Sequence, residues 1–354
     1  MNKSKILFFG FFNPDYARNR VLMKGLERNG VKVSQCRVRN GRFRMVRLFC
    51  QYWMIKKDFD WLLVAFPGQE AIFLARMLTR RPIIFDAFTS HYGGYILDRR
   101  YFRPNSGRAK YYRWLDKWSC RLADLVLLDT QAHIDFFIRE YDLPAEKFRR
   151  IFIGADTDVF QPSVSRPANG KFLVHFHGSY VPLQGVEHII RAAKLLEQED
   201  IQFNLIGRGQ TYPADCQLAQ TLAISNINFI DNVAYEKLAD YMNQADICLG
   251  IFGASPKTAL VIPNKVYEAL VMAKPVITAD TPAARELLID RENVLFCRQA
   301  DAEDLANKII ELKNDPILRQ TIAAAGGWLF KNRLGETTLG SELLVIANQL
   351  TEKS

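Results

Sequence analysis

No stretch of this 354-residue chain approaches the roughly 18 uninterrupted apolar residues that a membrane-spanning helix needs. Six cysteines are present (Cys36, Cys50, Cys120, Cys216, Cys248 and Cys297), but no two stand in a C-x-x-C pair. That scatter argues against a structural zinc and against a disulfide framework, and fits a reducing cytoplasm. Low-complexity segments are missing, and the two halves do not read as a tandem repeat. The leading MNKSKILFFGFF has a short basic start and an apolar run, yet lacks a small-residue cleavage site before Asn13-Pro14-Asp15. It reads as a first strand rather than a signal peptide. Acids are the scarcer charge, 38 against 47 Lys and Arg, for a formal net charge of +9. The excess favours an anionic partner, whether nucleotide, lipid headgroup or nucleic acid, and composition alone does not choose. A composition of 49% hydrophobic and 24% charged residues is globular, and the length exceeds what one core sustains, so two domains are expected.

What is present is an alternation of short apolar runs and amphipathic stretches. KILFFG, the helical RNRVLMKGLERNG, VKVSQC, WLLVAF, PIIFDAF and ADLVLLDT give a βαβ rhythm, hence a parallel sheet covered by helices. The rhythm stops at QPSVSRPANG, which reads as a linker. A second series follows: KFLVHFHG, VEHIIRAAKLLEQ, FNLIGRG, INFIDN, YEKLADYMNQ, ADICLGIFG, KPVITAD and NVLFCR. The expected division is therefore 1–165 and 166–334, with a C-terminal helix of about 335–354 packing back on the first domain. In such sheets ligands bind beyond the carboxyl ends of the strands.

Several strand ends in the second half finish in glycine: His177-Gly178-Ser179, Gly207-Arg208-Gly209 and Gly253. Glycine lets a backbone approach a phosphate closely, although it also serves ordinary turns. The stretch VIPNKVYEALVMAKPVITADTPAARELL carries a sharper signal. Pro263 and Asn264 open a helix, and Lys265 falls in its first turn, where the dipole disfavours a cation unless an anion binds there. Glu268 lies about one turn on, along the same face, and its carboxylate can take two hydrogen bonds from a ribose diol. The bland reading is an exposed Lys–Glu pair.

That stretch resembles the nucleotide-sugar-binding signature of the large retaining glycosyltransferase family 4, which has the two-domain GT-B fold, two Rossmann-like α/β domains facing each other across a cleft. RIFIGADTDVFQP resembles the family's crossover segment, HGSYVPLQGVEHIIRAAKLL its first donor-domain strand, loop and helix, and NLIGRGQ the next strand end. GFFNPDYARNRVLMKGLERNGVKV is similar to its opening loop and helix, which puts Arg18 and Asn19 on the acceptor side. The resemblance implies that Glu268 holds the ribose hydroxyls. It assigns the diphosphate to the Gly178 loop and the Lys265 region, and the acceptor to the first domain. Ser179 and Gln184 stand where the family commonly has Arg and Lys, Leu260 where it has a first Glu, and Ala273 where a glycine usually ends the helix. Lys257, Lys265 and Arg208 then become the candidates to neutralise the leaving group.

Asp156-Thr157-Asp158 has the spelling of a divalent-metal site but lies in the crossover segment, so no metal is expected there. His175 and His177 share a strand face without a third ligand nearby, which suits pocket or core lining. In the first half, Asp86, Ser90 and His91 end a strand as a polar cluster suited to an acceptor hydroxyl. His91 is the candidate for the family's acceptor-domain histidine, with a solvated loop histidine as the alternative. The segment 37–57 interleaves Arg37, Arg39, Arg42, Arg44, Arg47, Lys56 and Lys57 with Phe43, Val46, Phe49 and Trp53. It suits an anionic membrane surface or, equally, a core helix with a solvated basic face. The combined expectation is a metal-independent, cofactor-free retaining glycosyltransferase in surface polysaccharide assembly, cytoplasmic or peripheral on the inner face of the membrane. Its partners would be a nucleotide sugar and a glycan or lipid-linked acceptor, with no nucleic acid. A nucleotide-sugar epimerase of the same fold and a non-catalytic binding subunit are the alternatives.

Overall fold

The computed structural model describes residues 4–39, 41–55, 58–163 and 170–351. They form two compact units, one of residues 1–96, 100–154 and 334–354, the other of 97–99 and 155–333. The division read at 165/166 falls among residues 164–169, outside the described ones, and the second unit takes in the chain from Ala155 onward. No helix among the described residues is long and apolar enough to cross a membrane.

The first unit runs β1 (Lys5–Gly10), α1 (Ala17–Arg28), β2 (Lys32–Arg37), α2 (Arg44–Met54), β3 (Trp61–Val64), α3 (Ala71–Leu78) and β4 (Ile83–Asp86). After a π-helical turn, Gly93–Asp98, come α4 (Gly107–Leu122), β5 (Leu125–Leu128), α5 (Gln131–Tyr141) and β6 (Phe148–Arg150). The strands make one parallel sheet in the order β2-β1-β3-β4-β5-β6. Alternate strand residues point to opposite faces, so Leu7, Phe9, Leu62, Val64, Ile83, Phe85, Val126 and Leu128 share one side. There they form a core with Leu48 and Tyr52 of α2, Ile72 and Ala75 of α3, Cys120 of α4 and Phe137 of α5. On α1, Gly25 meets Gly340 of α13 (Glu336–Thr351) so closely that a Cβ on Gly340 would lie 2.1 Å from the Gly25 carbonyl carbon.

The second unit contains β7 (Phe172–His177), α6 (Val186–Leu195), β8 (Ile201–Ile206), α7 (Tyr212–Thr221), β9 (Ile227–Ile230) and α8 (Leu238–Gln244). It continues with β10 (Ile247–Leu249), α9 (Asn264–Val271), β11 (Val276–Ala279), α10 (Pro282–Arg285), β12 (Leu295–Cys297), α11 (Ala302–Asn314) and α12 (Pro316–Arg333). Its parallel sheet is ordered β12-β11-β10-β7-β8-β9. The chain reverses direction across the sheet after β9, so β7 and β10 are neighbours with their connections leaving to opposite sides. That is the switch point where an open α/β sheet binds ligands.

The outward surface of α2 departs from the core-helix reading of segment 37–57. Only Leu48 and Tyr52 of α2 are buried, while Phe43, Val46, Phe49, Trp53 and Met54 are exposed, Trp53 by 56%. Lys56 and Lys57 lie outside the described residues.

Candidate donor site of the second unit

The extended period of two sends His175 and His177 to one face of β7, and the strand ends at Gly178, whose φ is +152°. A Cβ there would lie 2.8 Å from Lys265 Nζ, so a side chain would displace the ammonium. Gly207, at the end of β8, packs its α-carbon against the same turn, where an added Cβ would meet the Gly178 carbonyl oxygen at 2.0 Å. Gly209 bridges to Tyr180. The strand-end glycines thus serve close backbone packing around the loop.

From the other side α9 enters, with Pro263 as its N-cap and Asn264 as its first residue, both half-buried. Lys265 and Glu268 are buried, which rules out the exposed-pair reading. Lys265 Nζ hydrogen-bonds Gln184 Oε1 and sits 3.9 Å from the centroid of the Phe176 ring. No carboxylate forms an ion pair with it among the described residues. Burial lowers its pKa to about 7, although Glu268 pulls the other way. Glu268 Oε2 lies 2.8 Å from His177 Nε2, and His177 Nδ1 lies 2.9 Å from His175 Nε2. Burial, with His177 and Lys265 adding to it, pushes His175 well below the ordinary imidazole range. Of the two histidines, read as pocket or core lining, His177 bonds the acid directly and His175 bonds His177 behind it. The signal for this was the H-x-H spelling at a strand end, and nothing in it pointed across to a residue on α9.

The other candidates are distributed differently. Arg208 is exposed, pairs with Asp231 through two hydrogen bonds of 2.9 and 3.0 Å, and stacks over Tyr212. Ser179 is exposed. Lys257 is half-buried on the short helical turn Pro256–Leu260, with its charge acting on Asp98 of the 97–99 segment. Asp156 Oδ1 accepts from the Asp158 amide and its carbonyl from Phe160, a local turn.

In the first unit, the acceptor-side assignments of Arg18, Asp86, Asn19 and Ser90 need correction, because all four are buried. Arg18 and Asp86 are fully buried and paired with each other at 2.9 Å, and Arg18 also donates to the carbonyls of Ile151 and Phe152. Those contacts tie α1 to the ends of β4 and β6, which leaves neither group facing a ligand. Asn19 is likewise buried and donates to the carbonyls of Asn13 and Phe66, holding the loop after β1. Ser90 is buried between Asp116 and Tyr141, at 2.8 and 2.7 Å. Asp116, which the sequence did not single out, also takes the amides of His91 and Tyr92. His91 remains partly exposed, stacked on Tyr95 with centroids 5.4 Å apart.

Residues 171–315 match the family model of glycosyl transferases group 1. This segment is similar to the glycosyl transferases group 1 family. It contains Gly178, Gln184, Lys265 and Glu268. Among curated relatives, an uncharacterised glycosyltransferase of Methanocaldococcus jannaschii is 28% identical over 158 residues, 43% of this chain and 41% of that protein. Alpha-D-kanosaminyltransferase of Streptomyces kanamyceticus is 22% identical over 67% of this chain and 64% of that protein. The matches thus span less than two thirds of these relatives' length. Among solved structures, HepE of Anabaena in complex with UDP and glucose superposes with a TM-score of 0.73 at 17% identity, covering 98% of this chain and all of that one. Sucrose-phosphate synthase of Thermosynechococcus elongatus gives 0.77 at 16% identity, with both chains fully covered. The fold is that of the GT-B glycosyltransferases.

Proposed function

We propose that this protein is a retaining, metal-independent glycosyltransferase. It would move a sugar from a nucleoside-diphosphate sugar to a hydroxyl of a glycan or lipid-linked glycan in cell-surface polysaccharide assembly. The observation that carries this reading is the buried ammonium of Lys265, which lacks a carboxylate partner, lies against the Gly178 loop and stands one helical turn from Glu268. Position 184, a lysine in the family pattern, is glutamine here, and Lys265 brings its charge to that glutamine from α9. A diphosphate would supply the missing anion, and hydrogen bonds to the α9 N-terminus would add to the attraction. Charge grows on the diphosphate as the sugar departs, so Lys265, with Lys257 as the second candidate, would stabilise the transition state more than the bound donor. The departing oxygen would take the acceptor proton on the face of attack, which retains configuration, and His91 would stand on the acceptor side. HepE, which shares the fold, was solved with UDP, and one relative is named for capsular polysaccharide biosynthesis.

A cytoplasmic site of action on an anionic membrane face has its own support. The outward residues of α2, of the turn before it and of α4 include many aromatic and cationic side chains: Phe43, Phe49 and Trp53 beside Arg42 and Arg47, then Tyr111, Trp114 and Trp118 beside Lys110 and Arg121. No exposed acid stands on either helix. Aromatic residues mixed with cations suit the interfacial layer of an anionic bilayer.

Calorimetric titration with UDP, GDP, ADP and dTDP, repeated in EDTA, tests the donor reading. Saturable binding of one nucleotide, unchanged by the chelator, is expected, followed by release of that nucleotide from its sugar conjugate when an acceptor is added. Release without acceptor would indicate an epimerase-like activity, and binding without turnover under any acceptor a binding subunit; either overturns the transferase.

A further inference from the structure

The β7 histidines and α9 form a chain of three buried groups, His175, His177 and Glu268. Each link has one donor and one acceptor. A carboxylate can only accept, so His177 Nε2 carries the proton toward Glu268 Oε2. His177 Nδ1 then accepts from His175 Nε2–H, which leaves His175 Nδ1 as a bare acceptor without a hydrogen-bond partner. The reverse order would need a protonated His177 and would place an unpartnered N–H of His175 in the core. Of the two, the order running toward Glu268 keeps every buried N–H paired.

The chain has a geometric consequence for the acid. His177 occupies Oε2, and no other hydrogen bond to this carboxylate is formed among the described residues. The rotamer of Glu268 is therefore set by the imidazole rather than by a cation, and Lys265, one turn away, is left to an anion. We propose that His177 is a positioning residue for the donor site: it fixes the Glu268 carboxylate so that Oε1 faces the nucleotide ribose, while His175 fixes the tautomer of His177. This rests on the donor-site reading above and adds a specificity device to it. A glutamate held in advance loses less freedom on binding, and a fixed acceptor rejects a sugar that lacks the hydroxyl.

The test compares UDP with its 2′,3′-dideoxy counterpart, together with the tight-binding nucleotide of the screen where that is not UDP. Wild type should favour the ribose form by about tenfold or more, the scale of a hydrogen bond to a charged group. His177→Phe should bring the two forms within about twofold of each other, and His177→Gln, whose amide can still donate near the Nε2 position, should restore most of the preference. Pyrophosphate affinity should stay the same in both variants, because Lys265 is untouched. Nitrogen-15 spectra of the nucleotide-free protein supply a readout independent of ligand: His177 should appear as the Nε2–H tautomer, and Glu268→Gln should shift that resonance. A His177→Phe protein that melts lower but keeps the wild-type ribose preference would reduce His177 to a core residue and overturn the proposal. The Nδ1–H tautomer at His177 would do the same. Wild type that binds no nucleoside diphosphate would overturn the donor-site reading, and this proposal with it.

Discussion

A lysine side chain normally leaves the protein for water, and Lys265 does not. Its burial holds the pKa near 7, against 10.5 for the free side chain. Between those values the unfolded chain carries more protons than the folded one, so stability rises with pH through that window, and the cost of the buried charge is fully present below about pH 7. Lys265→Met should accordingly stabilise the protein at pH 6, on the order of 4 kcal/mol, and progressively less toward pH 10. On the donor reading it should also lose nucleoside-diphosphate binding, since a bound diphosphate would offset the burial. Bound diphosphate favours the charged amine, so wild-type affinity should fall above pH 7 by up to about tenfold per unit, with proton uptake visible in calorimetry in buffers of different ionisation enthalpy. The pair Arg18 and Asp86 calls for the opposite expectation. Asp86→Ala strands a buried guanidinium and should cost about 3–5 kcal/mol in denaturant melts while nucleotide affinity stays unchanged. Loss of nucleotide affinity with full stability would contradict this. Lys265 and Glu268 were legible in the sequence because a cation in the first turn of an apolar helix conflicts with the dipole and requires a reason. Asp86 was misread because a polar strand end looks the same whether its partner is a ligand or a residue far along the chain, and Arg18 because the resemblance of the opening loop and helix does not show which buried acid its guanidinium meets.

At the scale of elements, the rhythm of short β-rich runs and amphipathic stretches placed the strands and the helices that position the site, because hydrophobic period survives tertiary packing. Strand order was not legible: nothing in the sequence of β10 says that β7 is its neighbour, and with that neighbour comes the approach of α9 to His177. The end of α9 was legible. Ala273, read as standing in a glycine's place, has φ of +48°, and the Lys274 amide bonds back to the Ala269 carbonyl, a left-handed helix end. An alanine in that conformation pays about 1 kcal/mol that glycine does not. Ala273→Gly should therefore raise the melting temperature by roughly 2–4 °C for a unit of this size. An unchanged or lower value would mean that the contact of the alanine methyl with Gly327 of α12 outweighs the backbone strain.

For the molecule as a whole, the question is where the net charge of +9 sits and what it meets. Part of it lies on α2 and α4, helices that expose tryptophan at 56%, 48% and 40% for Trp53, Trp114 and Trp118, more apolar surface than solvation alone explains. The sequence left a basic-faced core helix and a membrane-facing helix equally open for α2, because aromatic residues at helical spacing suit both. Exposure separates them: Trp53→Ala should leave stability within about 0.5 kcal/mol, as surface changes do, instead of costing the 3–5 kcal/mol of a core truncation. It should nonetheless weaken binding to vesicles containing phosphatidylglycerol. Arg39, Arg42 and Arg47 have no carboxylate partner among the described residues, whereas Arg44 is held by Glu70, so the first three are the ones to reverse. Each cation near an anionic surface contributes roughly 1 kcal/mol, so the triple charge reversal should lower vesicle affinity by more than about 100-fold. Binding of the wild type should also fall as salt rises and the Debye length shrinks below about 10 Å. Nucleotide affinity should be untouched by the reversal, because Lys265 and Glu268 belong to the other unit. Equal sedimentation of the wild type with anionic and with purely zwitterionic vesicles would remove the membrane from the account, and a concentration-dependent dimer in its place would assign the aromatic face to a second copy of the chain.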